Sequence, residues 1–135
     1  MGDIRQGGCL CGATRYEVDV LNHETGSCHC SLCQKHTGSA FLTVTCVARD
    51  KFQWLSEPKG ECISSEGVIR RFCEKCGTPL TWENREFSDL ANFGIGTLDD
   101  TGGLKITYEI YTSNRIAGLQ AVPNARQMDE GYVVE

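Results

Sequence analysis

The sequence predicts a mainly β protein with very little helix. Tyr16, Val18 and Val20 alternate with charged residues, which is the pattern of a half-buried strand. Residues 41–47 and 68–72 are rich in β-branched and apolar side chains, as strands usually are. No long amphipathic helix is visible in the sequence. Short strands separated by turns therefore dominate the prediction.

The remaining elements follow from local composition. Strand composition recurs at residues 52–54, 80–82, 90–95 and 104–112. Residues 21–27 are predicted to form a loop, and residues 31–37 are predicted to form one or two helical turns that end at Gly38. The tail after Pro123 is polar, and we expect it to be partly ordered.

Length and charge bound the organisation of the chain and its partners. With 135 residues, 40% of them hydrophobic, residues 1–135 are expected to form a single domain. The net charge of −5 and the scattered basic residues argue against nucleic-acid binding. No apolar run approaches a membrane span, and residues 1–6 lack the features of a secretory signal. We therefore expect a cytoplasmic protein that binds no membrane; the sequence leaves its oligomeric state open.

Nine cysteines are the strongest chemical signal in the sequence. In a chain of cytoplasmic character, C-x-C and C-x-x-C spacings favour metal binding over disulfides. Cys9 and Cys11 supply half a zinc site, and Cys73 and Cys76, closed by Gly77, have the form of a zinc knuckle. Joining the two halves gives a closed, four-thiolate structural zinc site that ties the first strand to the middle of the chain.

A second cluster contains three thiols within six residues, Cys28, Cys30 and Cys33. In an extended segment Cys28 and Cys30 share a face, and the gap to Cys33 suits a tight turn. Cys33 would lie near a helix N-terminus, where backbone amides favour the thiolate. Three sulfurs leave one tetrahedral position of a zinc ion open, which distinguishes a catalytic site from a structural one. We therefore predict two zinc ions per chain, one structural and one catalytic.

Three blocks of the sequence resemble the glutathione-dependent formaldehyde-activating enzymes, a family of carbon–sulfur lyases also described as centromere-protein-V-like. They are GGCLCGATRY at residues 7–16, CHCSLCQKxxG at residues 28–38 and RFCEKCGTPL at residues 71–80. The resemblance implies a mainly β fold of several coiled antiparallel sheets around zinc knuckles. It also implies a structural zinc at Cys9, Cys11, Cys73 and Cys76 and a catalytic zinc at Cys28, Cys30 and Cys33.

Three thiolates donate much charge to a zinc ion and make it a weak Lewis acid, which is poor at ionising water. Such an ion can still hold a fourth thiolate, which suits a thiol substrate such as glutathione. The activity that the resemblance implies is addition of this thiol to formaldehyde, giving S-hydroxymethylglutathione. We therefore expect a zinc-dependent carbon–sulfur lyase. The alternative is a non-catalytic zinc-binding interaction module, in which a partner's ligand or Cys62 completes the trio.

The last third of the chain departs from the family pattern, in which a late strand carries His-Ile, then a basic residue and a tryptophan. The matching stretch here is Tyr108-Glu109-Ile110-Tyr111, and Leu119 lies near the expected tryptophan. Glu109 alternates with apolar neighbours, so we expect it to face solvent rather than to act as a catalytic acid or base. This departure leaves the identity of the substrate open.

Several residues near the cysteines have further expected roles. His29 lies between two thiols of the trio, so its side chain should point away from the metal and serve as a hydrogen-bonding scaffold. Lys35 either pairs with a substrate carboxylate or is a solvated surface residue. Either Arg70 or Arg71 is expected to offset the thiolate charge of the adjoining knuckle. Four residues are expected to be surface or inert groups: His23, His36, Cys46 and Cys62.

Overall fold

Eleven strands and little helix make up the described part of the chain, residues 1–134 of a computed structural model. The strands are β1 (Ile4–Gly8), β2 (Arg15–Asp19), β3 (Glu24–Cys28), β4 (Leu42–Ala48), β5 (Phe52–Ser56), β6 (Gly60–Ser65), β7 (Val68–Phe72), β8 (Pro79–Asn84), β9 (Leu90–Gly94), β10 (Tyr108–Ile110) and β11 (Arg126–Gln127). The α-helix α1 (Ser31–Thr37) is accompanied by short 3-10 helices at Arg49–Lys51, Arg85–Phe87, Ile95–Thr97 and Thr112–Asn114. None of these helices has the length and apolar character needed to cross a bilayer.

The strands form two sheets. One has three strands in the order β1-β2-β5, and the other has eight in the order β11-β10-β3-β4-β9-β8-β7-β6. Neighbouring strands run antiparallel, except that β10 is parallel to both β3 and β11. The predicted mainly β class with very little helix is confirmed, and the parallel pairing of β10 with β3 and β11 is an addition that no local pattern indicated.

The hydrophobic core takes residues from both sheets. Tyr16, Val18 and Val20 are buried, as the alternation along β2 predicts. The Tyr16 ring stacks on Phe52 of β5 at 4.9 Å between centroids and contacts Phe93 of β9 at 5.3 Å. Truncating a core aromatic residue such as Phe93 to alanine would cost about 3–5 kcal/mol. This aromatic cluster holds the two sheets together.

The predicted loop at residues 21–27 is wrong, because its second half lies in β3. Thr25 and Ser27 are buried and hydrogen-bond to Thr45 at 3.0 Å and Thr43 at 2.8 Å on β4. The Tyr108 ring packs against Gly26, where any side chain would collide with it. Glu24 and Gly26 are of residue types that are depleted in strands, so the pairing on both sides is what makes this segment a strand.

Other strand predictions hold with changed limits. Residues 68–72 form β7 as predicted, whereas the strand predicted at residues 104–112 shortens to β10. The prediction omitted β1, which has two glycines, and β6, which is mostly exposed and polar. Neither sequence has the alternating apolar pattern by which a strand is recognised.

Candidate metal centres

The first thiol cluster joins the two sheets. Its four sulfurs lie within 4.8 Å of one another and belong to Cys9, Cys11, Cys73 and Cys76. Cys9 directly follows β1 of the smaller sheet, and Cys73 directly follows β7 of the larger one. The structure thus brings together all four residues of the predicted structural site, in two halves separated by more than sixty positions of sequence.

Backbone turns and donors shape this cluster. Gly12 and Gly77 have positive φ values of 82° and 80°, which glycine adopts without strain. The Thr14 amide donates to Cys9 Sγ at 3.3 Å. The Thr78 hydroxyl lies 3.2 Å from Cys76 Sγ, and hydrogen bonds from this hydroxyl and the Thr78 amide lower the pKa of the Cys76 thiol to about 5. These donors favour the thiolate form that zinc requires.

The second cluster is the thiol trio of Cys28, Cys30 and Cys33, whose sulfurs also lie within 4.8 Å of one another. Cys28 ends β3, Cys30 is the N-cap of α1, and Cys33 lies in its first turn. The predicted helix over residues 31–37 is confirmed, and Gly38 ends it with a φ of 69°. A strand end followed directly by a helix start therefore brings three nearby thiols to one point.

The three thiols of the trio differ in their hydrogen bonds and in their burial. Cys30 Sγ accepts from the Cys33 amide at 3.3 Å. Hydrogen bonds from the Cys28 and Cys33 thiols, with those from backbone amides, hold the pKa of the Cys30 thiol far below its usual value. The pKa of Cys28 is raised because it donates to the other two thiols and is buried. Cys30 is the half-buried member, whereas Cys28 and Cys33 are buried. Cys30 is therefore the sulfur of the trio that is most accessible from outside.

The donor sets of both clusters fit zinc. Thiolate sulfur is a preferred zinc ligand, and four sulfurs complete a tetrahedral structural site. Among residues 1–134, no histidine, cysteine or carboxylate joins the trio as a fourth ligand. Cys62 is exposed on β6 and lies outside the cluster. The trio can therefore hold a metal ion and leave one position for an external ligand.

Arg70 approaches the trio, not the adjoining knuckle. Its two terminal nitrogens each lie 3.6 Å from Cys33 Sγ, and its Nε donates to Ser64 Oγ at 3.0 Å. Arg71 instead bonds to Glu83 at 2.9 Å and Glu61 at 3.0 Å. The prediction that one of these arginines serves the Cys73 knuckle is wrong, because consecutive side chains of β7 point to opposite faces and only Arg70 reaches across to α1.

Glu109 is buried, so the prediction that it faces solvent is wrong. It is 2% exposed, and its Oε1 lies 2.8 Å from Nε2 of His29, which is 1% exposed. Its Oε2 accepts from the Val122 amide and Gln127 Nε2, each at 2.9 Å, and from Arg115 at 3.1 Å. The alternation correctly placed Glu109 on the opposite face of β10 from Tyr108 and Ile110, but the segment after β10 covers that face. His29 makes the hydrogen bond expected of a scaffold residue and stays outside the thiol cluster.

The family of the chain follows from a comparison with known protein families. The model described as glutathione-dependent formaldehyde-activating enzyme matches residues 4–114. The chain belongs to this family. Its match spans both thiol clusters and reaches Glu109, and membership supports a glutathione-linked role in formaldehyde activation.

Comparison with individual proteins adds evidence on the fold alone. No curated protein matches the chain significantly. A crystal structure of a Rhodobacter sphaeroides protein superposes with a TM-score of 0.58 at 20% sequence identity, covering 74% of this chain and 90% of that one. The two proteins therefore share a fold.

The other polar residues around the family's cysteine blocks have distinct environments. Lys35 is exposed, whereas His36 is half-buried, which corrects the expected surface position. His36 lines a shallow recess beside the trio, together with Arg70, Leu42, Thr81 and Trp82. Burial and the charge of Arg70 lower the pKa of His36. Sequence spacing gave no sign of this recess, because its walls come from four separate strands and α1.

The two remaining cysteines and His23 match in part the expectation that they are surface or inert groups. Cys62 is exposed on β6, and Cys46 is half-buried on β4, where burial raises the pKa of its thiol to about 11. His23 Nδ1 lies 2.9 Å from the Thr25 hydroxyl and is half-buried. None of the three lies in either thiol cluster.

Proposed function

We propose that the protein is a zinc-dependent carbon–sulfur lyase acting on glutathione or a related thiol adduct, with S-hydroxymethylglutathione as the first candidate. The observation that carries this proposal is the contrast between the two clusters. One has four sulfurs, enough to complete a tetrahedral site, whereas the other has three and, within residues 1–134, no fourth protein ligand. An open position is what an exchanging substrate requires.

The two clusters would have different roles, one structural and one catalytic. Cys9, Cys11, Cys73 and Cys76 would hold a structural zinc, and Cys28, Cys30 and Cys33 a catalytic one. When bound at the trio, zinc supplies a Lewis-acid position at which a thiol is kept deprotonated. The chain fixes this position through the Cys33 amide, which donates to Cys30 Sγ, and through the β3–α1 junction that orients all three sulfurs.

The proposed reaction needs no covalent bond to the protein. The thiolate sulfur forms a bond to the formaldehyde carbon while the carbon–oxygen π bond breaks. The resulting alkoxide oxygen takes up a proton, which balances the proton lost by the thiol. The reverse reaction breaks the same carbon–sulfur bond. Because a thiolate adds to formaldehyde without help, orientation and control of charge are the contributions left to the protein.

We also propose a cytoplasmic location. All nine cysteines are free thiols, and three of them are at least partly accessible members of the clusters. A reducing compartment keeps such thiols from forming disulfides and supplies glutathione.

Exchange spectroscopy tests the activity directly. Nuclear magnetic resonance would measure the interconversion of glutathione, formaldehyde and their adduct with and without zinc-loaded protein. We expect faster exchange with the protein and no acceleration with Cys30→Ser at equal concentration. If protein with two zinc ions per chain accelerates nothing, the formaldehyde proposal fails. X-ray absorption showing four sulfur ligands from protein at both ions would favour the interaction module instead.

A further inference from the structure

Arg70 is a buried cation with an unusual partner. It is 3% exposed, and its terminal nitrogens face Cys33 Sγ. The ion pairs of other arginines in the described chain engage carboxylates, as Arg15 does with Asp99 and Arg115 with Glu109. Within residues 1–134, no carboxylate forms an ion pair with Arg70. The cysteine sulfur therefore takes the place that an acidic side chain usually occupies.

Burial makes this partner chemically informative. A guanidinium group is always charged, and burying it without an anion is unfavourable. Zinc binds cysteine as the thiolate, so a metal-loaded trio supplies the anion that compensates this buried charge. The fork is also held in place, because its Nε donates to Ser64 Oγ at 3.0 Å while both terminal nitrogens remain on the sulfur. The strand pair β6–β7 thus aims a fixed positive charge at the trio.

Charge balance shows what this arrangement favours. Three thiolates and one Zn²⁺ carry a net charge of −1, and Arg70 brings the assembly to zero. A further thiolate then returns it to −1. Without Arg70 the same ligand would bring the charge to −2 in a partly buried site, which repels an anion. A neutral ligand would be affected much less by the presence of the arginine.

We propose that Arg70 is a positioning residue that selects an anionic thiolate as the external ligand of the trio. Its fork fixes Cys33 Sγ, and its charge lets the zinc-bearing trio accept a substrate sulfur in preference to a neutral donor. This inference rests on the proposed function and adds a basis for substrate class to it. Lysine would keep the charge but lacks the planar fork that places two nitrogens on the sulfur and a third on Ser64.

Cobalt substitution tests the selection without relying on turnover. Protein loaded with Co²⁺ would be titrated with glutathione and, separately, with imidazole, and changes in the visible absorption bands of the cobalt would report the binding of each ligand. For Arg70→Met we expect glutathione affinity to fall at least about tenfold while imidazole affinity changes much less. Arg70→Lys should regain part of the glutathione affinity but not the wild-type spectrum. Arg71→Met is the matched control, because the adjacent side chain engages Glu83 and Glu61, and it should bind both ligands as the wild type does.

Each result decides the question. Equal loss of glutathione and imidazole, or no loss of either, in Arg70→Met would overturn the role of Arg70. If that variant does not load the trio, the ratio of the two affinities in Arg70→Lys decides in the same way, an unchanged ratio and spectrum overturning the proposal. Thiolate selection without accelerated formaldehyde exchange would overturn the proposed lyase and keep the role of Arg70. Accelerated formaldehyde exchange, together with unchanged ligand selection in Arg70→Met, would keep the proposed lyase and overturn the role of Arg70.

Discussion

His29 Nε2 lies 2.8 Å from Glu109 Oε1, and both side chains are almost completely buried. His29 lies between two cysteines of the trio, and β10 places Glu109 opposite Ser27 of β3. The second carboxylate oxygen accepts from Val122 and Gln127, so the same residue also holds the segment after β10. The thiol trio is thereby tied to the part of the chain that departs from the family pattern.

Removing the Glu109 carboxylate should destabilise the protein strongly. Glu109→Ala leaves His29, the Val122 amide and Arg115 without their buried acceptor, and we expect the free energy of unfolding to fall by about 3–5 kcal/mol. Glu109→Gln should cost less, because its amide oxygen still accepts. Urea denaturation followed by circular dichroism measures both. Glu24→Gln, at an exposed position of β3, serves as the control and should stay within about 0.5 kcal/mol of wild type. Wild-type stability of Glu109→Ala would contradict the role assigned to this carboxylate.

The same carboxylate should make stability depend on pH in the acid range. Burial alone would raise its pKa, but hydrogen bonds from His29, Val122 and Gln127 and the charge of Arg115 lower the pKa of Glu109 from 4.5 to about 2. A folded-state pKa below the unfolded value stabilises the protein above the unfolded pKa, and this stability is lost as pH falls toward the folded pKa. We therefore expect the stability difference between wild type and Glu109→Gln to shrink by about 3 kcal/mol from about pH 5 to about pH 2.

Paired urea titrations at several acid pH values check this prediction. Both proteins carry the same nine cysteines, so acid release of metal from thiolates affects both and cancels in the difference. A difference that stays constant across the whole range would show that Glu109 is not held as a carboxylate in the folded protein.

Local sequence information predicted the thiol clusters because their ligands are set by short spacings. Cys30 and Cys33 share one helical turn, and Cys73 and Cys76 share one knuckle, so residue types and gaps alone bring them together. That Cys9 and Cys73 share a site was inferred by joining two half sites, and the structure places their sulfurs in one cluster. The catalytic and structural roles of the two clusters, and the single domain over residues 1–135, stay predictions.

What the sequence could not give depends on neighbours that are distant in the chain. β3 lacks an alternating apolar pattern and becomes a strand only between β4 and β10. Glu109 is buried because residues after β10 fold over it, and alternation does not say whether a face is covered. Arg70 could be assigned to a face of its strand, but its contact with Cys33 required the placement of α1 over β7. The deciding contacts join residues that are 13 and 18 positions apart at Glu109 and 37 positions apart at Arg70.

Glutathione binding should depend on the trio alone. Because the trio has room for an external ligand and the other cluster already has four sulfurs, we expect calorimetry to detect binding that disappears in Cys30→Ser. Cys62→Ser is the matched control, since Cys62 is an exposed cysteine outside both clusters, and it should bind glutathione as the wild type does. Undiminished binding by Cys30→Ser with one zinc ion per chain would show that the thiol docks elsewhere, and the proposed role of the trio would have to be abandoned.

The two clusters should differ most clearly in their coupling to folding. Cys76→Ser removes a ligand from the cluster that joins the two sheets, so metal-binding energy that is also folding energy is lost. We expect a loss of several kcal/mol against a total of about 5–15 kcal/mol, with insoluble or early-melting protein.

Cys33→Ser damages a cluster whose ligands lie within six residues, where a bound ion closes only a short loop. This variant should stay folded with about one zinc ion per chain, lose activity and melt somewhat below wild type, because Arg70 loses its anionic partner. Zinc analysis and thermal unfolding of both variants decide the matter: equal collapse, or a Cys33 variant that keeps two zinc ions and full turnover, would mean that the structural and catalytic roles are assigned to the wrong clusters.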